Sequence, residues 1–349
     1  MRPISELETV QEKIGELGNV VEHKAENEVF DREDFKGVAF IESEFKQCDF
    51  KKVEMQEAKF VNCVFSQCSF VECNQINAVV TGSKFDSCTW IDCAGAKMIR
   101  INAVYKDCVF EGFDDEAAQW SQVTFERATF GCGKLLRSSF MSCDFTESEF
   151  RDVSFETTAF MKAKTDQVRF HSTCSFDSVM LHEAVLDGHD WTGMSLLRTH
   201  FQECSLKSNI FNFSKMEATG FHDCDMEQSQ FENLDSEYSR FFKVELKKSN
   251  FRRAKLMGSQ FTESNIDFAD LSEADLSKSM IMGCSAKKAR FDQVNLTEST
   301  VENNDVRGSV LTYLKLKYTK IDRLIEDDDT DWTGTVKLLM RLNDDRENG

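Results

Sequence analysis

Every fifth residue of this chain is large and apolar. From Phe35 the series runs through Phe40, Phe45, Phe50, Met55, Phe60, Phe65 and Phe70, and the same phase carries on through Phe125, Phe140 and Phe155 to Phe170. One extra residue enters within His171 to Ser175, and the period then resumes at Phe176 and continues through Leu181, Trp191, Phe221, Phe251 and Leu276 to Ile321. Of 58 such positions 51 hold a large apolar residue, and 26 of the 31 phenylalanines lie there, so chance periodicity is excluded. A second register, two residues earlier, is small: Ala58, Cys63, Cys68, Cys73 and Ala78 in the first tract, Ser249, Ala254, Ser259 and Ser264 in the second. A period of five fits neither the 3.6 of a helix nor the alternation of a flat strand. A chain that turns a corner every five residues buries both registers in a narrow stacked tube and leaves the intervening positions in solvent.

With the segment Ala269-Asp270-Leu271-Ser272-Glu273-Ala274-Asp275-Leu276, a direct small-polar-Leu pattern, the sequence resembles the pentapeptide-repeat family over about Asp31 to Ile321. The resemblance implies an all-β solenoid, a right-handed quadrilateral parallel β-helix with four pentapeptides per coil. About 14 coils at a strand spacing of about 4.8 Å would make a rod on the order of 70 Å long. Open ends of such stacks need covers. Residues 1–30 are therefore expected to form a capping helix, on the spacing of Leu7, Val10, Ile14 and Leu17 within Ser5 to Val21. The first tract is 31–170, the phase break 171–175 and the second tract 176–321. Residues 322–349 read as an acidic loop, Glu326 to Asp331, followed by a helix carrying Val336, Leu338, Leu339, Met340 and Leu342 that caps the last coil or joins two copies end to end.

The net charge of −19 argues against a nucleic-acid-binding or membrane-attracted surface. No apolar run long enough for a secretory leader or a bilayer span is visible, so a cytoplasmic location is expected, with export by a system that needs no cleavable signal left open. Twelve of the 13 cysteines occupy the small register and only Cys132 does not, so their spacing is set by the coil and they read as reduced packing thiols. No metal or cofactor is expected. Asp327, Asp329 and Asp331 alternate like the start of a calcium loop, but Trp332 stands where glycine is needed and Leu338 where a bidentate glutamate belongs. His182, His200 and His222 neighbour central residues and should point outward, whereas His189 falls in the small inward register ahead of Met194, which implies a widened coil. No catalytic motif is present, and no enzyme is expected.

Departures from the repeat carry the remaining information. Gln75, Gly95 and Asp115 occupy central positions 20 residues apart, hence one side of three consecutive coils, and Arg100 breaks the same register nearby. Glu111 to Gln119, with Asp114, Asp115 and Glu116, reads as a loop leaving the tube. Together these six residues form the candidate partner-binding patch; tolerated decay of the repeat is the alternative.

Three functions follow. The first is a non-catalytic protein–protein interaction rod, a scaffold or adaptor. The resemblance implies two more specific partners: a type II topoisomerase such as gyrase, bound by mimicry of duplex DNA, or a component of a bacterial secretion apparatus. The tube carries 45 acidic and 35 basic residues, a net −10. Duplex DNA of the same length would carry roughly 40 negative charges. Mimicry accordingly ranks below the interaction rod.

Overall fold

Five residues of period become three residues of strand and two of corner. The computed structural model describes residues 18–165 and 167–335. It is an all-β parallel solenoid whose chain divides into two compact units, Met1–Ser175 and Phe176–Gly349. Among the described residues no helix is long and apolar enough to cross a membrane.

In the first unit, Asn19–Val21 pairs in parallel with Ala39–Ile41, residue for residue at an offset of 20, and Ala39–Ile41 pairs in the same way with Lys59–Val61. Strands beginning at Lys24–Glu26 and Val29–Asp31 start two further faces on the same offset, and bridges from Asp34 to Glu54 to Asn74 start the fourth. The middle residue of each strand points in and its neighbours point out, which makes a four-sided tube of 20-residue coils. At each corner one residue takes a left-handed conformation: Glu42, Gln47 and Lys52 have φ of 52°, 52° and 56°. That conformation costs a non-glycine residue roughly 1–2 kcal/mol. It is offset because the corner N–H donates to the next coil, as Glu42 does to the Val61 carbonyl at 2.9 Å and Gln47 to the Ser66 carbonyl at 2.8 Å.

The two inward registers have separate tasks. Large residues stack in ladders: Phe45 on Phe65 and Phe65 on Phe85 at 4.8 Å between ring centroids, and Phe85 on Tyr105 at 4.7 Å. Such pairs contribute about 0.5–1.5 kcal/mol each beyond area burial. Small residues satisfy carbonyls of the preceding coil. Cys63 Sγ donates to the Phe40 carbonyl at 3.3 Å, and Ser83 Oγ to the Phe60 carbonyl at 3.1 Å. Cys, Ser, Ala and Thr recur there because a short side chain reaches that carbonyl and fits between the ladders, although Met98, Phe113, Met194 and Leu234 are buried at the same register.

The second unit keeps the coil but changes its corners. Three-residue strands persist along one face, from Met180–His182 through His200–Gln202, Gly220–His222 and Arg240–Phe242 to Lys320–Asp322. Elsewhere, apart from Ser175–Asp177 and Ser195–Leu197, the faces are single bridges joined by hydrogen-bonded turns, such as Met194 N–H to the Trp191 carbonyl at 3.0 Å. Leu186, Leu206, Met226 and Leu246 fill these turned faces, while Phe201, Phe221 and Phe241 fill the stranded one.

Outward side chains also lean from one coil toward the next. A Cβ at Gly82 would collide with the Asn62 amide, one at Gly112 with the Asp92 carboxylate, and one at Gly258 would lie 2.6 Å from the Tyr238 ring. In each case the leaning residue is 20 positions earlier.

Three boundaries differ from expectation. The helix expected over 1–30 does not extend through its later part, because Asn19–Val21, Lys24–Glu26 and Val29–Asp31 are already strands of a coil. Val20, Ala25 and Phe30 carry the period-five register back beyond Phe35. Residues 1–17 lie outside the described residues. The expected acidic loop is likewise part of a coil: Ile325 bridges Asp305 and Asp331 bridges Val310, with the one extra residue absorbed in a turn where Thr330 N–H donates to the Asp327 carbonyl at 3.1 Å. The helix expected after it lies outside the described residues. Finally, Glu111 to Gln119 is no loop, since Asp114–Glu116 is a strand in register with Lys134–Leu136. The phase break at 171–175 is a turn closed by Cys174 N–H to the His171 carbonyl at 2.9 Å.

Candidate functional site

The six residues expected to form a patch separate into an interior set and a surface pair. Gln75, Arg100 and Asp115 are 5%, 3% and 5% exposed, and Gly95 is buried with them. Arg100 Nη1 lies 3.2 Å from Asp115 Oδ2, its guanidinium sits 3.6 Å over the Trp120 ring, and Nη2 is 3.0 Å from Met98 Sδ. Burial pushes the Asp115 carboxyl above the usual carboxylate range, and the Arg100 charge opposes that push. Gly95 supplies the room, because a Cβ there would collide with the Asp115 carboxylate. A void of about 10 Å³ beside Gln75 and Arg100 completes the cluster. Only Asp114 and Glu116 reach the surface, where Glu116 pairs with Arg137. The aligned departures are thus a buried ion pair and its neighbours inside an aromatic tube, turned away from the outer surface.

On the outside, carboxylates and bases pair across coils over much of both units. Lys46 meets Glu26 at 2.7 Å, Arg127 meets Asp107 at 2.7 Å, Lys207 meets Asp225 at 2.9 Å, and Arg253 meets Glu232. One place differs. Along the stranded face of the second unit the outward ladder runs Met180, His200, Gly220, Arg240 and Gln260. Gly220 contributes no side chain, and Ala218 at the neighbouring corner contributes almost none. The result is an open recess of about 610 Å³ walled by Met180 and His200 on one side and by Tyr238, Arg240 and Phe242 on the other. His200 leans into it, its Nδ1 2.6 Å from where a Gly220 Cβ would stand. His222 stacks on Phe242 at 5.0 Å and also lines it. Met180 and Tyr238 are 40% and 55% exposed. Arg240 has no carboxylate partner among the described residues, unlike Arg198, Arg252 and Arg253, which pair with Asp177, Glu273 and Glu232.

The histidines expected to face outward do so, with His200 and His222 exposed and His182 half-buried. His182 stands between two carboxylates, Nδ1 3.4 Å from Glu183 and Nε2 3.6 Å from Glu203, and among the described residues these three have metal-ligand composition. Each ring nitrogen faces a different carboxylate, so the arrangement is that of a bridging imidazole. His189 is half-buried, holds the Leu186 carbonyl through Nδ1 at 2.9 Å and stacks on Trp191. The twelve small-register cysteines are buried and unpaired, and Cys132 is exposed. Burial raises the Cys143 thiol to about 12 and the Cys284 thiol to about 11, so these sulfurs are poor nucleophiles. Sequence reasoning identified the outward histidines and missed the recess, whose signal is the pair of small residues Ala218 and Gly220 between larger ones at offsets of 20.

Several solved structures are similar to parts of this chain. A trypsin-treated form of QnrB1, a plasmid-mediated fluoroquinolone resistance protein, is 16% identical over 52% of this chain and 91% of its own, with a TM-score of 0.47. HetL, a pentapeptide repeat protein involved in heterocyst differentiation regulation from the cyanobacterium Nostoc sp. strain PCC 7120, is 14% identical over 69% of this chain and 87% of its own, with a TM-score of 0.25. None of the curated proteins compared with the chain matches it. The family model described as a pentapeptide repeat region matches residues 133–211, and that for pentapeptide repeats in eight copies matches 34–67 and 239–277. With the coil offset of 20, the two inward registers and these matches in both units, the chain belongs to the pentapeptide-repeat family.

Proposed function

We propose that this protein is a non-catalytic binding scaffold that holds a protein partner against the stranded face of its second unit. The observation that carries the reading is the Gly220 recess: the Arg240 guanidinium, the His200 ring, the His222 ring with Asp223 3.1 Å from its Nδ1, and exposed Met180 and Tyr238 converge on one gap in the outer surface. Partner surfaces draw on aromatic and Arg side chains of this kind. The tube interior is filled by its own side chains, which leaves recognition to the outer faces. Buried thiols in an unpaired state suit a reducing, cytoplasmic setting. Topoisomerase binding by DNA mimicry ranks lower, because cross-coil pairs such as Lys46–Glu26 and Arg127–Asp107 neutralise the acids that would have to imitate phosphates.

Affinity capture from native cytosol with the full chain, beside a Tyr238→Ser/Arg240→Glu variant, tests the reading. A protein retained by the first and lost by the second is expected. Retention of nothing would sink the scaffold, and inhibition of gyrase supercoiling at stoichiometric concentration would put the topoisomerase reading in its place.

A further inference from the structure

Resting on the scaffold reading, the geometry points to a carboxylate-reading site: we propose that the Gly220 recess receives an acidic side chain, flanked by an aromatic or aliphatic one, from an acidic segment of a protein partner.

Charge complementarity selects the anion. His200 and Arg240 sit on either side of Gly220 in one ladder of parallel strands, two coils and hence about 10 Å apart. A carboxylate between them can accept from both, and the guanidinium has the planar fork that suits it. No carboxylate of the described chain takes that place, although the chain carries 61 acidic residues and pairs Arg198, Arg252 and Arg253 nearby. The rest of the recess is mostly apolar, with Tyr238 and Phe242 on one wall and Met180 on the other, and Gln202, Thr219 and His222 as its remaining polar lining. An anion alone would leave those surfaces wet, so the group adjoining the carboxylate has to be apolar.

Openness selects the source. Small-molecule sites bury most of their ligand, whereas this recess is one side chain deep on a β face and its mouth is wide. A small aryl carboxylate would keep its outer surface in water. A polypeptide laid along the strands closes the mouth with its own backbone and neighbours. Gly220 is what admits it: a Cβ there would lie 2.6 Å from His200 Nδ1, so even alanine would displace the His200 ring from its place beside the gap.

The test uses the full chain with its histidine imidazole C–H resonances followed by NMR. The probes are the peptide acetyl-Glu-Phe-Glu-amide, its neutral Gln-Phe-Gln counterpart and 3-phenylpropionate. Saturable shifts of His200 and His222 with the acidic peptide are expected, about tenfold or more weaker with the neutral peptide and in Arg240→Gln, since a charge-assisted hydrogen bond is lost in each case. The affinity should fall further as salt rises. Tyr238→Ser, which keeps the charge, should weaken binding by removing the apolar wall. Equal binding of the acidic and neutral peptides, or an Arg240→Gln variant that binds like the parent at an unchanged unfolding temperature, would overturn the site. Phenylpropionate binding as tightly as the peptide would overturn the polypeptide source. If the full chain captures a partner equally well with Arg240→Gln, the scaffold stands and this site falls; if it captures none, the scaffold itself has failed.

Discussion

The two units break their repeat in opposite directions. In the first, Arg100 and Asp115 intrude among stacked rings, face each other at 3.2 Å, and leave the outer surface unaltered. In the second, the ladder of Phe201, Phe221 and Phe241 continues at 5.0 and 5.2 Å, and the irregularity lies outside, where Ala218 and Gly220 leave a gap between larger neighbours. The difference teaches which irregularities concern the protein's own stability and which concern other molecules. A polar group turned inward must be answered from within, since nothing else can reach it. An outer side chain that is simply missing asks nothing of the core and leaves room for something else.

The sharpest way to break the comparison is to remove one half of the inner pair. Arg100→Met leaves Asp115 buried without its counter-charge and should cost about 3–5 kcal/mol, whereas Arg100→Met with Asp115→Leu should recover most of that loss. Denaturant unfolding followed through Trp90 and Trp120, both in the first unit, reads the effect; a single variant as stable as the parent would show that Asp115 does not depend on Arg100. Gly95→Ala comes next, at about 1–3 kcal/mol, because the new methyl group strikes a carboxylate packed on every side.

Acid unfolding sharpens the contrast from the surface side. Arg307 and Lys287 hold the Asp305 carboxyl down to about 2, from an ordinary value of 3.8. In that window the unfolded chain binds the more protons, so the stability Asp305 contributes is complete above pH 3.8 and drains away as pH falls toward 2. Trp191 fluorescence in the second unit should show the parent losing its advantage over Asp305→Asn across this range, and a constant difference would refute the assignment. The smallest effect is expected of Gly220→Ala. Its methyl group also meets a side chain, but the exposed His200 ring can swing aside, and stability should stay within about 0.5 kcal/mol of the parent in the same unfolding experiment.

The coil was legible because a ring every five residues admits only a corner every five residues, and buried Val20 and Ala25 extend that logic back past the limit the phenylalanines marked. The acidic triplet Asp114, Asp115 and Glu116 misled for a physical reason. Three charges in succession look solvated, yet a three-residue strand sends its ends out and its middle in, so Asp115 is buried beside exposed Asp114. Its partner Arg100 was already visible as a departure from the same register, and opposite charges 15 residues apart on adjoining faces are the signature of an internal pair. The recess was hidden because outward positions obey no rule of size along the sequence. Gly220 becomes conspicuous only beside His200 and Arg240, its neighbours across the coils.

The lean of outward side chains has a consequence for how such a chain can change. Asn62 lies over Gly82, Asp92 over Gly112, His200 over Gly220 and Tyr238 over Gly258, always from the earlier residue toward the later one. A coil duplicated or excised as a whole block preserves every face but creates a new seam, and that seam must match large against small at all four sides. Heredity in this fold therefore has a grain. Where the leaning residue cannot swing aside, a glycine gains a side chain without cost only after the residue one coil before it has lost one, and the order in which the two substitutions arrive then decides how well the intermediate protein folds.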